Sequence, residues 1–149
     1  MVPMLALLAW LLTSQAEQAM QGRMDSTRQV VEVARGIVSA AHTEEAAGAL
    51  TREQAQKLAL RPLEKLRYDG KEYFWINDMQ PRMLMHPIKP ELNGKELGGM
   101  KDPNGLALFN AMVAVVRKDG KGFVAYQWPK PGSDKPVDKI SFVQGFEPC

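Results

Sequence analysis

A chain of 149 residues closes one compact domain and leaves little room for a second. Lys and Arg number 19 against 17 Asp and Glu, and the resulting charge of +2 supplies no basic field to hold a nucleic-acid backbone. The one cysteine is the final residue, Cys149, which excludes an internal disulfide, a thiolate metal cluster and a CxxC redox pair.

Residues 1–12 carry no charge but fall short of the roughly 20 apolar residues that a spanning helix needs. Nothing basic precedes the run, as a secretory signal would require. The pattern predicts the end of a transmembrane helix over residues 1–13, with Trp10 suited to an interface position; a buried helix end is the alternative. From Thr13 the chain turns polar and keeps an apolar stripe at Met20, Met24, Thr27, Val31, Ala34, Val38 and Ala41, in alternating steps of four and three. That heptad seam predicts a single helix over about residues 14–42, roughly 40 Å long, within a membrane-proximal segment 14–47. The seam suits either a partner helix, and so a homodimer, or the chain's own sheet.

Gly48 punctuates the chain, and Thr51-Arg52-Glu53-Gln54 has the capping-box pattern that opens a second helix. Its apolar positions Ala55, Leu58, Ala59, Leu63 and Leu66 follow helical spacing, and Pro62 should kink or break it near Arg61. Asp69-Gly70 is a turn. Residues 72–78 and 82–86 have strand composition and predict a hairpin, after which Pro87, Pro90, Asn93-Gly94 and Gly98-Gly99 enforce a covering loop of some fifteen residues. Asp102-Pro103 reads as an N-cap with Pro at the first helical position, opening a buried helix over 106–116 that Asp119-Gly120 ends. Strands over 122–128 and 139–144 complete an α+β order with an antiparallel sheet.

Nine Met and three Trp in a 45% hydrophobic chain allow an adaptable apolar pocket. No GxSxG, HExxH or Walker pattern is present, and two histidines cannot form a metal site unaided. The Asp102-Pro103-Asn104-Gly105 string lacks the alternating acidic ligands of a calcium loop. The sequence therefore predicts no catalytic residue, no metal and no cofactor.

The strings Tyr73-Phe74-Trp75-Ile76-Asn77-Asp78, Met85-His86-Pro87, Leu92-Asn93-Gly94, Lys101-Asp102-Pro103-Asn104-Gly105, Tyr126-Gln127-Trp128-Pro129-Lys130-Pro131 and Lys139-Ile140-Ser141, in that order and spacing, resemble the single Cache domains of the second type. Those domains form the extracytoplasmic sensor region of methyl-accepting chemotaxis receptors and sensor kinases. The resemblance implies a PAS-like antiparallel sheet with covering helices over residues 48–149. It also implies a receptor in the bacterial inner membrane whose sensor domain faces the periplasm or exterior. The implied ligand is a small organic acid of the acetate, propionate, pyruvate or lactate class, held between the sheet and the covering loops. The pattern usually continues beyond Phe146-Glu147-Pro148, so the last, central strand is expected to be missing. The alternative is a helical dimerisation element whose pocket does not function.

A carboxylate entering an apolar pocket needs charge-assisted donors. His86, at a strand end, and Lys139, opening the last strand, are the candidates for charge and hydrogen bonds, and Tyr73, Trp75, Tyr126 and Trp128 offer apolar walls with polar tips. Each has a plain alternative as core or solvated surface. Arg61, beside the expected helix break, and Met85, Met100 and Phe109, as apolar lining, are weaker candidates.

Overall fold

The computed structural model describes residues 4–147. The elements run α1 (Met4–Ala46), α2 (Arg52–Lys65), β1 (Ile76–Asn77), β2 (Met83–Met85), a 3-10 turn (Pro90–Leu92), α3 (Leu108–Asp119), β3 (Lys121–Pro129) and β4 (Pro136–Gln144). The α+β order is the expected one. Residues 148 and 149, and with them Cys149, lie outside the described residues, as do residues 1–3.

α1 extends the predicted helix at both ends. Its seam meets its own chain: Ala41 packs with Ala55 and Ala59 of α2, and Ala34 packs with Leu63 and Met85. Alanine at these crossings lets the backbones approach closely while larger neighbours, Val38 and Leu60, fill the flanks. β4 is the other neighbour of α1. Nearer its start, the helix leaves Met4, Leu5, Leu7, Leu8, Trp10, Leu11, Leu12 and Met20 exposed. No helix among the described residues is long and apolar enough to cross a membrane.

The capping box opens α2 as the sequence predicts: Gln54 N donates to Thr51 Oγ1 at 3.2 Å and Thr51 N donates to Gln54 Oε1 at 2.9 Å, which stabilises the helix by about 1 kcal/mol. Pro62 does not break the helix near Arg61. The helix runs through it to Lys65, and Leu66 N closes on Pro62 O. A proline removes one donor and crowds one carbonyl, but Leu63, 2% exposed, anchors the following turn in the core.

The turn at Asp69 (φ 47°) and Gly70 (φ 83°) folds Tyr68 back onto Glu72. The predicted seven-residue first strand is reduced to Ile76–Asn77, paired antiparallel with β2 through an irregular register. The outer edge of β2 is occupied by the loop, with Met83 N donating to Lys95 O and Gly94 N to Met83 O. β3 and β4 pair over nine residues, Lys121↔Gln144 to Pro129↔Pro136. Among the described residues the hairpins form two separate two-stranded sheets and not one continuous sheet.

Asp102-Pro103 does not open α3, which begins at Leu108. The Asp102 carboxylate instead folds the preceding loop: Oδ1 accepts from Asn104 N and Leu106 N, each at 3.0 Å, and Oδ2 accepts from Gln127 N at 3.0 Å. A short acidic side chain satisfies local backbone donors in a turn as readily as at a helix start. α3 buries Leu108, Phe109, Met112 and Val113 against Met83, Leu92, Leu97, Val124 and Tyr126, each large side chain contributing about 1.5–3 kcal/mol. Asn110 and Ala114 are exposed, so α3 is amphipathic and not buried on every face. Gly120 ends it at φ 76°, a conformation that a side chain would strain.

Candidate functional site

Strand alternation and register bring the polar candidates together. Tyr126 on β3 lies opposite Lys139 on β4, and Val124 opposite Ser141, so Tyr126, Trp128, Lys139 and Ser141 share one face. That face meets the segment before β1 and the turn after β2. The Tyr73 ring stands 5.0 Å from His86 and 4.5 Å from Lys139 Nζ. Trp128 stands 6.1 Å from His86 and meets Phe109 edge-on at 5.9 Å. Five of the six principal candidates, Tyr73, His86, Tyr126, Trp128 and Lys139, thus converge. Phe109 and Met100 belong to the apolar cluster beneath Tyr126 and Trp128.

Trp75 packs against that same cluster, but its indole N–H is taken by Asn77 Oδ1 at 3.0 Å and it makes no ring contact with His86 or Tyr73 among the described residues. The other two candidates fall elsewhere. Arg61 is exposed on α2; its expected position depended on a break that does not occur. Met85 is buried with Ala34 and Leu63, whereas the next residue, His86, packs against Tyr73 and Trp128, because successive side chains in an extended segment point to opposite faces.

The donors are preorganised. His86 is 2% exposed. Its Nδ1 accepts from Lys89 N at 2.9 Å and Ile88 N at 3.3 Å, which fixes the neutral tautomer with the proton on Nε2. Burial, then the charges of Lys139 and Lys89, lower its pKa to about 4. Asn93 Oδ1 holds the backbone by accepting from His86 N at 2.8 Å.

Burial also lowers the Lys139 pKa, opposed by the Glu72 carboxylate 3.8 Å away. Tyr126 Oη and Ser141 Oγ lie 2.7 Å apart and are buried; one O–H serves that bond and the second remains to donate. Burial raises the Tyr126 pKa, and it pushes Tyr73 up to about 12, with the Trp128 indole N–H opposing. The Tyr73 and Tyr126 hydroxyls therefore keep their protons at neutral pH. Lys89 Nζ stands 5.8 Å from the Trp128 ring. A neutral N–H, hydroxyl donors and one ammonium above an apolar floor can hold a single carboxylate with a short tail.

Ser141, Glu72, Lys89 and Asn93 were not singled out in the sequence. Ser141 carries a signal there, since it sits two residues from Lys139 and so on the same strand face. The other three depend on contacts across turns that composition does not reveal.

A concavity of about 440 Å³ runs along α1, α2 and the edges of the two hairpins, and Tyr73, Trp75 and Ser141 reach it. Neither His86 nor Lys139 lines it. Its walls, among them Ala34, Val38, Leu60, Leu63, Phe142 and Phe146, are mostly apolar. Volume favours this groove, but carboxylate chemistry favours the ring cluster, because the convergent donors are there.

The chain is similar to methyl-accepting chemotaxis protein McpP of Pseudomonas putida (strain KT2440), 45% identical over 148 residues that are 99% of this chain and 27% of that protein. Sensor histidine kinase MctS of Rhizobium johnstonii is 28% identical over 95 residues, 64% of this chain and 20% of that protein. The chain thus spans between 20% and 27% of the length of these curated relatives. Among solved structures, a periplasmic sensor domain of a chemotaxis protein superposes with a TM-score of 0.86 at 49% identity, covering 87% of this chain and 90% of that one. A Cache chemosensory domain, described for carboxylic acid recognition, superposes with a TM-score of 0.85 at 48% identity over 89% of this chain and 90% of that one. The family profile described as Single Cache domain 2 matches residues 19–149. The chain belongs to this family of single Cache domains, which are chemoreceptor sensor domains and not catalysts.

Proposed function

We propose that the chain is the extracytoplasmic ligand-binding domain of a transmembrane chemotaxis or signal-transduction receptor, and that it binds short monocarboxylates of the acetate, propionate, pyruvate or lactate class. The observation that carries this reading is the convergence of the Lys139 ammonium, the neutral His86 and the Tyr126–Ser141 hydroxyl pair around aromatic walls. The similar Cache structure described for carboxylic acid recognition supports the ligand class, and the chemotaxis and kinase relatives support the receptor setting and the periplasmic location. The exposed apolar start of α1 is the segment that would meet the membrane, and the early part of the helix that does not pack on α2, around the exposed Met20, is where two copies would pair.

The test is isothermal titration of the domain with a panel of short mono- and dicarboxylates, repeated on Lys139→Met, His86→Ala and Tyr126→Phe. At least one monocarboxylate should bind, and each substitution should weaken it by roughly ten- to a hundredfold, the effect of losing one hydrogen bond to a charged group. Unchanged affinity in all three, with the fold intact, would remove the site from the ring cluster. No heat with any acid from a folded domain would remove the ligand class.

A further inference from the structure

Lys139 carries the charge that a carboxylate ligand would seek, and that charge already has a partner. Glu72 Oε2 lies 3.8 Å from Lys139 Nζ. The Glu72 backbone is fixed in both directions, since Tyr68 N donates to Glu72 O and Glu72 N donates to Tyr68 O, each at 3.0 Å. The side chains differ: that of Lys139 is 19% exposed and that of Glu72 is 38% exposed. At 3.8 Å the pair is too long for a direct hydrogen bond, so the acid is a loose counter-ion at the wet edge of a buried cation.

Beside Lys139, the charged groups nearest His86 are Lys89 and Glu91, while His86 itself is neutral. One incoming carboxylate can take the place of Glu72 at Lys139. A second would stand against the displaced Glu72, and the remaining cation, Lys89, lies over the Trp128 ring at 5.8 Å with the Glu91 charge opposing it at His86.

We infer that Glu72 is a specificity-determining residue, which competes with the ligand for Lys139 and excludes acids that carry a second carboxylate. This rests on the carboxylate reading of the site above. Glu72→Gln keeps the backbone bridge and the side-chain size and removes only the charge, so the variant should fold, as its melting curve would show.

Propionate and succinate, titrated into the domain and into Glu72→Gln, separate the outcomes. The variant should bind propionate about tenfold more tightly, the order expected from one half-screened counter-ion, and should narrow the preference for propionate over succinate by at least about as much. Equal propionate affinity and an unchanged preference would overturn the inference. Weaker propionate binding by the folded variant would overturn it too, since Glu72 would then hold Lys139 in place and not compete for it. Either result leaves the carboxylate reading standing if the wild type binds propionate and Lys139→Met does not. Failure of the wild type to bind any acid removes both.

Discussion

His86 shows how burial and two backbone bonds decide what a side chain can do. A free imidazole changes charge near pH 6.5, so a site built on histidinium would lose anion affinity through the neutral range. Here Nδ1 already accepts backbone N–H groups, and a proton placed on it would face two donors. With the pKa lowered to about 4, the ring should donate from Nε2 throughout the neutral range. Affinity for propionate is therefore expected to stay within about twofold from about pH 6 to about pH 7.5. A steady fall over that interval in titration calorimetry would show that a protonated histidine holds the acid. The same shift has a consequence for folding. As pH falls below the unfolded value of 6.5, the unfolded chain takes up a proton that the folded chain refuses until about 4, so the stability contributed by neutral His86 is complete above 6.5 and declines across that window.

At the scale of elements, the loop over 98–107 and strand β3 act as one unit because Asp102 joins them. Its Oδ1 shapes the loop and its Oδ2 takes the N–H of Gln127, the residue between Tyr126 and Trp128. In Asp102→Asn the amide oxygen can keep the loop contacts, but the NH2 group would face the Gln127 N–H, donor against donor. The expected result is a melting temperature lower by several degrees and propionate affinity weakened about tenfold, with Asp102→Ala lower on both measures. Full affinity in Asp102→Asn would show that the loop does not position the aromatic walls.

Much of this architecture was legible in sequence. The 3.6-residue period, the Thr51 capping box and the turn at Asp69-Gly70 act over a few residues, and each formed as read. What was not legible depends on distant partners. Pro62 stays helical because Leu63 is held in the core. The first strand is short because its ladder is set by β2 and not by its own β propensity. Asp102 looked like a helix cap because the chemistry of a cap and of a loop clasp is the same. In the site, alternation placed Tyr126 and Trp128 on one face, whereas Lys139, Glu72 and Lys89 meet them only through strand register and folding.

For the molecule as a whole, the question is how occupancy at the ring cluster reaches α1, a helix about 65 Å long. β4 carries Lys139 and Ser141 and then runs to Gly145 and Phe146, which lie against α1. Arg35 Nε donates to Gly145 O at 3.1 Å, the Arg35 guanidinium stands 5.2 Å from the Phe146 ring, and His42 meets the same ring edge-on at 5.8 Å. One strand therefore touches the site with its middle and α1 with its end. If Lys139 shifts to a ligand, the strain is delivered through a short, paired segment to two turns of the helix, and Arg35 is the strongest single link in that contact. Coupling of this kind is a measurable energy and not a matter of adjacency. Propionate should slow amide hydrogen exchange in α1 around residues 31–42. Arg35→Ala should largely abolish that protection while changing propionate affinity by less than about threefold, since Arg35 does not touch the site and a coupling of this size is a small part of binding. If the protection persists in Arg35→Ala, signal passes from β4 to α1 through the packing of Phe142 and its neighbours. If α1 shows none even in the wild type, the long helix is moved by something other than the ligand.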